Sequence, residues 1–156
     1  MDKKSLLLGC GIALAICLLV VAGFIGFLFY IAVDPPDITA VVSAPAEVKV
    51  GEAFDLEVVV TNRRAKGAMA LSDIDVGESY LAGFKLASVE PTPKSSMHVP
   101  IDESRSFTFS VGIPAGESRT FVFRLQAETA GLHAGDVDVC EGLRFLTKSA
   151  QTRVLE

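Results

Sequence analysis

Val50–Asn62 reads VGEAFDLEVVVTN. Phe54, Leu56, Val58 and Val60 fall on one side of an extended chain; Asp55, Glu57 and Thr61 fall on the other, with Val59 the exception. A period of two marks a strand with one face in a core and one in water. The phrase is entered through Gly51-Glu52, a turn signal. About 65 residues later, Ala115–Ala127 reads AGESRTFVFRLQA and repeats the plan. Phe121, Phe123, Leu125 and Ala127 point one way, and Val122, Arg124, Gln126 and Glu128 the other. Two strands of this kind are expected to share one core, either across from each other or side by side.

Working outward, the same period recurs. Ile38–Ser43 reads as a strand, with Glu47–Val50 as its continuation past Pro45. Leu71–Val76 places Ile74 and Val76 opposite Asp73 and Asp75. Phe84–Val89 puts Phe84, Leu86 and Ser88 on one side, and Ser106–Val111 does so with Phe107, Phe109 and Val111. Val137 and Val139 lie in a strand whose other face carries Asp136 and Asp138, and Leu143–Leu155 closes the domain as a strand or hairpin. Between these, EPTPKSSMHVPIDE reads as a polar, proline-rich loop, GIPAGES as a turn, and TAGLHAGD as a turn-rich link. No amphipathic helix of useful length is evident. Seven to nine short strands with turn signals at this spacing predict a mainly β chain, a single antiparallel β-sandwich over residues 38–156.

The N-terminal part is different. Ser5–Val33, SLLLGCGIALAICLLVVAGFIGFLFYIAV, contains no charged residue. As a helix it would be about 43 Å long, more than the ~30 Å hydrocarbon core of a bilayer. It therefore reads as one transmembrane signal anchor spanning residues 5–33, with Tyr30 at the outer headgroups. Residues 1–4 form a tip with Lys3 and Lys4, and Asp34 and Asp37 follow the far end. The positive-inside rule then expects a single-pass protein of the cell membrane, N-terminus cytoplasmic and sandwich outside. A signal peptide cleaved after Val20-Val21-Ala22 and a lipoprotein signal at Leu7-Leu8-Gly9-Cys10 are the alternatives. The first has an apolar region far beyond the usual length, and the second leaves the run continuing past Cys10. A pilin-like leader would place a glutamate near the start of the helix, and none is there. Small residues Gly9, Ala13, Cys17, Ala22 and Gly26 read either as an ordinary lipid-facing span, in which Gly and Ala are common, or as a helix-pairing surface through which two copies of the chain could dimerise. Asp34-Pro35-Pro36-Asp37 is a stiff spacer, residues 34–37, that stops the helix.

Of 14 Lys and Arg only Lys3 and Lys4 precede the apolar run, and of 19 Asp and Glu only Asp2, so the remainder carries a formal charge of −6. That balance argues against a nucleic-acid partner. Arg63, Arg64 and Lys66, in NRRAKGA, are the one basic cluster and read as solvated loop charges, the alternative being contact with anionic lipid or polymer. Cys140 is the sole cysteine beyond the anchor and reads as an inert packed thiol, with a disulfide to a second chain as the alternative.

VGEAFDLEVVVTN, LSDIDV, GFKLASVEPTP and IPAGESRTFVFRLQAETAGLHAGDVDV, in this order, resemble the Ig-like domains of bacterial and archaeal surface proteins, the cell-adhesion-related CARDB domains and related conserved repeats. The residues that carry the resemblance are Asn62 at the end of the first core strand, the Gly116-Glu117-Ser118 turn, and Gly135–Val139. The resemblance implies an Ig-like sandwich used for adhesion, spacing or assembly, and it implies no catalytic residues. Such domains often stand in tandem arrays. A single copy behind an anchor fits an accessory subunit of a membrane assembly better than an adhesin stalk.

A search for chemistry finds little. Ser79 in GESYL and Ser118 in GESRT lack the G-x-S-x-G elbow. His98 and His133 have no metal-spaced partners and read as solvated loop histidines. No phosphate-cradling glycine loop and no cofactor motif is present. Tyr80 and Phe84 are weak candidates for a stacking platform. The best site candidates are carboxylates: Asp73 and Asp75 on one strand face with Glu78 after them, and Asp136 and Asp138 on another. Alternate strand residues point the same way, and calcium takes clustered oxygens; a solvated strand face is the competing account. The expected function is a membrane-anchored binding or structural module for an envelope or membrane protein or a surface polymer. An accessory subunit of a transporter or enzyme complex is the alternative. A hydrolase lacks every feature sought.

Overall fold

In a computed structural model, residues 3–156 are described, with side chains from residue 11 onward. The chain divides into two compact units, residues 1–34 and 35–156. In the first, α1 (Lys3–Ala32) is a continuous helix whose stretch Gly11–Ala32 has a mean hydropathy of 2.9 and is 0% buried among the described residues. Its predicted tip and its first residues, Ser5, Gly9 and Cys10 included, lie outside the residues whose side chains are described.

The second unit is a sandwich of two sheets. Its strands, in chain order, are β1 (Ile38–Ser43), β2 (Glu47–Lys49), β3 (Ala53–Asn62), β4 (Met69–Gly77), β5 (Phe84–Glu90), β6 (Ser95–Val99), β7 (Ser104–Ile113), β8 (Ser118–Ala127), β9 (Gly131–Glu141) and β10 (Arg144–Leu155), with a one-turn helix α2 (Glu78–Leu81) between β4 and β5. One sheet has the order β1-β3-β8-β5 and the other β2-β10-β9-β4-β7-β6. The pairs are antiparallel except β2 with β10, which is parallel. The number of strands thus exceeds the seven to nine expected.

The two repeated phrases are β3 and β8, and they are hydrogen-bonded neighbours. Phe54 is opposite Leu125, Leu56 opposite Phe123, and Val58 opposite Phe121. All six side chains are buried. The second phrase also reaches across the core, where Phe121 packs on Phe109 with ring centroids 4.6 Å apart and Phe123 meets the edge of Phe107 at 5.0 Å. These contacts join the four-stranded sheet to the six-stranded one. The entry turns are equivalent too. Glu52 N–H donates to Lys49 O, and Glu117 N–H to Pro114 O. The third residue of each turn is a glycine at positive φ, Gly51 at 85° and Gly116 at 78°. That is the type II requirement which side chains resist.

Several expectations need correction. Glu47–Val50 does not continue β1 in its sheet; past Pro45 the chain crosses the sandwich, and β2 joins the other sheet beside β10. In β5 a register shift between Leu86 and Ser88 reverses the alternation. Val89, not Ser88, therefore follows Phe84 and Leu86 toward the core. Part of the proline-rich loop is a strand: β6 pairs with β7, from Ser95–Thr108 to Val99–Ser104. It is a sheet-edge strand, almost wholly exposed, so it shows no apolar periodicity. The link TAGLHAGD likewise runs into β9, whose pairing with β10 begins at Gly131.

At one end of the sandwich, Asn62 is fully buried, at 0% exposure. Its Nδ2 donates to Gly67 O at 3.0 Å and to Ile113 O at 2.9 Å, and its Oδ1 accepts from Arg64 N–H. Ile113 belongs to the opposite sheet, so one carboxamide bridges the two. Removing it takes this donor from the buried Ile113 carbonyl and from the part-buried Gly67 carbonyl. Asn62→Ala is expected to destabilise the fold by about 2–4 kcal/mol, read as a lowered midpoint in urea denaturation; a loss below about 0.5 kcal/mol would refute the bridging role.

Candidate functional site

The predicted carboxylates do meet. β4 and β9 are adjacent, and Asp75 and Asp138 are direct register partners. Asp73 precedes them on β4 and Asp136 on β9, so four aspartates share the outer face of the six-stranded sheet. Glu78 does not join them; it lies in α2, with its carboxylate near His98 Nδ1 at 3.3 Å and Arg105 Nε at 3.5 Å.

Each aspartate has a neutral neighbour that donates to it. Thr108 Oγ1 donates to Asp73 at 2.7 Å, Thr147 Oγ1 to Asp138 at 2.5 Å, and Ser149 Oγ to Asp136 at 3.1 Å. Cys140 Sγ donates to Asp75 Oδ2 at 3.6 Å. Two atoms in this part of the sheet are buried without a partner, Asp75 Oδ1 and Ser104 Oγ. Burial raises the Asp138 carboxyl above its ordinary value, and the charges of Asp75, Asp136 and Asp102 add to the rise. Burial, reinforced by Asp75, also drives the Cys140 thiol far up, which keeps it protonated and a poor nucleophile. Among the described residues, no three His, Cys, Asp or Glu side chains come together in a way that could hold a metal ion. The row of aspartates stands as an acidic, hydroxyl-lined strip.

The other singled-out residues separate from this strip. Tyr80 and Phe84 offer no stacking platform: both are buried, Tyr80 Oη lies 3.1 Å from Thr152 Oγ1, and the two rings pack together at 5.0 Å. α2 turns Tyr80 inward, which alternation alone does not foresee. His133 is no solvated loop histidine: its Nε2 lies 2.8 Å from Thr129 O, its ring meets the Phe84 ring edge, and a side chain at Gly83 would overlap it. His98 remains exposed beside Glu78.

Arg64 is not a solvated charge either. Nη1 and Nη2 donate to the two Glu141 oxygens at 2.8 and 2.5 Å, and Nε donates to Pro36 O at 3.4 Å. Glu141 also accepts from Ala70 N–H, and the Arg64 hydrogen bonds hold its carboxyl below the usual range. Sequence reading missed this pair, as it missed Asp102, Thr108, Thr147 and Ser149. The hairpin register, in which 138 faces 147 and 136 faces 149, gives away the last two once β9 and β10 are recognised as neighbours.

No family model and no curated protein matches the chain. Solved structures do. AvmM, which catalyses macrocyclization in alchivemycin A biosynthesis, is 17% identical over 78% of this chain and 90% of its own, with a TM-score of 0.50. The CARDB domain of a Pyrococcus furiosus protein in complex with di-metal ions is 16% identical over 77% and 89%, with a TM-score of 0.48. A cohesin module from a Clostridium perfringens family 33 glycoside hydrolase is 16% identical over 75% and 96%, also at 0.48. At such identity the first likeness is of fold alone. A CARDB domain, the group the sequence resemblance names, is among the similar structures.

The two electrostatic settings predict opposite pH responses. A raised carboxyl disfavours the folded state once ionised, so Asp138→Asn is expected to raise Tm at pH 7, with the gain fading as pH falls through the raised value. A lowered carboxyl contributes stability above its unfolded value, so Glu141→Gln is expected to lower Tm at pH 7 and to cost nothing once the pH falls below the lowered value. Thermal melts from neutral to acid pH check both. The same melts with added calcium should not move; a rise in Tm lost in Asp138→Asn would make the strip a cation site.

Proposed function

We propose that this chain is a membrane-anchored, extracytoplasmic binding or structural module without catalysis of its own. The observation that carries the reading is the helix. Gly11–Ala32 is apolar throughout and is 0% buried among the described residues, whereas the sandwich encloses its own core. An uncovered apolar helix of this length is stable when lipid covers it. The sandwich then has its surface free for partners. Its edges offer unpaired backbone, since β6 has a neighbour on one side and β2 covers only Arg153–Leu155 of β10. Strand edges are a common docking mode for extended segments. The partner it binds is an envelope protein or a surface polymer.

The test is crosslinking in intact membranes followed by co-purification. The full chain is expected to resist alkaline extraction, to be cut by protease only from outside, and to recover a defined partner. Release into the soluble fraction would refute anchoring; recovery of nothing above background would refute the binding role.

The accessory-subunit reading gains support from the helix itself. At about 100° per residue, Ala13 with Cys17 and Ala22 with Gly26 lie roughly half a turn apart. The small residues therefore form two faces. Among the described residues, and apart from the helix's own nearby backbone, nothing lies within 4 Å of a Cβ placed at Gly23 or Gly26. Two such faces suit a helix packed between neighbours. Ala13→Leu and Gly26→Leu are each expected to reduce the size of the native complex; unchanged migration of both would refute assembly through the helix.

A further inference from the structure

One end of the sandwich gathers the spacer, the β3–β4 loop, the β7–β8 turn and the tip of the β9–β10 hairpin. The register requires it: Ile38 is opposite Asn62, Thr61 opposite Ser118, Met69 opposite Ile113, and Arg144 opposite Glu141. Hydrogen bonds tie these pieces together. Arg63 N–H donates to Asp37 O at 2.7 Å, and the Arg64 guanidinium joins Pro36 O to Glu141. The hairpin tip is thus fixed to the segment that follows the helix. Only residues 33–37 separate α1 from β1, a reach of about 20 Å when fully extended.

This end carries apolar side chains that the core does not use. Leu143 at the tip is 67% exposed, and Phe145 beside it is 50% exposed. Arg63 and Lys66 stand exposed on the neighbouring loop. Asp37 and Glu117 share the end, while the Glu141 charge is matched by Arg64. The opposite end is more acidic, with Glu52, Asp102, Glu103 and Glu128. A leucine and a phenylalanine flanked by cations match the headgroup zone of a bilayer, where aromatic and apolar side chains enter and Lys and Arg meet phosphate.

We propose that this end docks on the bilayer that holds the anchor, with Leu143 and Phe145 entering the headgroup layer and Arg63 and Lys66 facing lipid phosphates. The inference rests on the anchor reading of α1. Docking of this kind would restrict the sandwich to one orientation and turn its opposite end, with the β8–β9 link and the β6–β7 turn, toward a partner.

The chain has no tryptophan, so Leu143→Trp is a lone reporter. The full-length variant is reconstituted in vesicles of phosphatidylcholine with about 30% phosphatidylglycerol, an anionic surface. Lipids brominated near the headgroup serve as quenchers. Ile101→Trp is the control, because Ile101 is 89% exposed at the opposite end. The L143W reporter is expected to emit to the blue of the I101W reporter and to be quenched by brominated lipid, as a side chain in the headgroup zone would be, whereas the I101W reporter is not quenched. A solvent-like, unquenched L143W signal in chain that still floats with the vesicles overturns docking and leaves the anchor standing. A blue-shifted but unquenched signal means that protein covers the tip, and it overturns docking on lipid. Chain that fails to float overturns the anchor and this inference with it. A variant carrying both Leu143→Ser and Phe145→Ser should float as before and expose Lys66 to a water-soluble amine reagent; protection unchanged in that variant counts against the apolar pair.

Discussion

The buried Asn62 carboxamide is the constraint around which one end of this sandwich is organised. It closes a strand whose inward face is otherwise Phe54, Leu56, Val58 and Val60, so it enters the core region by the same alternation that buries them. A polar group in that position is tolerable only when every donor and acceptor is matched. Both Nδ2 hydrogens and Oδ1 are used, its backbone N–H donates to Glu117 O, and its own carbonyl accepts from Gly116 N–H. The partners sit on the β3–β4 loop, on β7 and in the turn before β8. The β3–β4 loop so placed then lets Arg64 reach both Pro36 and Glu141.

Charge is distributed by a different logic on the outer face of the larger sheet. Four aspartates there share hydroxyl and thiol donors, and none has an ion-pair partner among the described salt bridges. Burial, reinforced by like charges on adjacent strands, disfavours the ionised form, which is why Asp138 holds its proton more tightly. By contrast, Glu141 at the end of the same strand is paired and its charge favours the fold. One strand thus carries both a cost and a gain, separated by the protonated Cys140 thiol.

Much of this architecture was legible. β1, β3, β7, β8 and the pair Val137 and Val139 announce themselves because each has one wet and one dry face, and period two follows directly from the pleat. The meeting of the two aspartate pairs was left open by the sequence, because adjacency of β4 and β9 is a long-range pairing. β6 was illegible for the opposite reason: an edge strand of Ser95, Ser96, Met97 and His98 buries almost nothing and needs no pattern. The bulge in β5 hid Val89 by shifting the alternation in mid-strand. Tyr80 stood only as a weak stacking candidate, yet α2 rotates it inward to Thr152.

By itself the sequence determined the apolar helix, the faces of β1, β3, β7 and β8 and the two Gly-Glu turns, since these depend on residue type and on spacing within a few positions. Only the tertiary structure decided which strands are neighbours, that β2 crosses to the other sheet, that Arg64 is committed to Glu141, and that Leu143 and Phe145 share an end with the spacer. Those depend on pairings between residues as much as 107 positions apart, as Thr152 to Pro45 shows. Local period says which way a side chain points, and only the closed sandwich says what it meets.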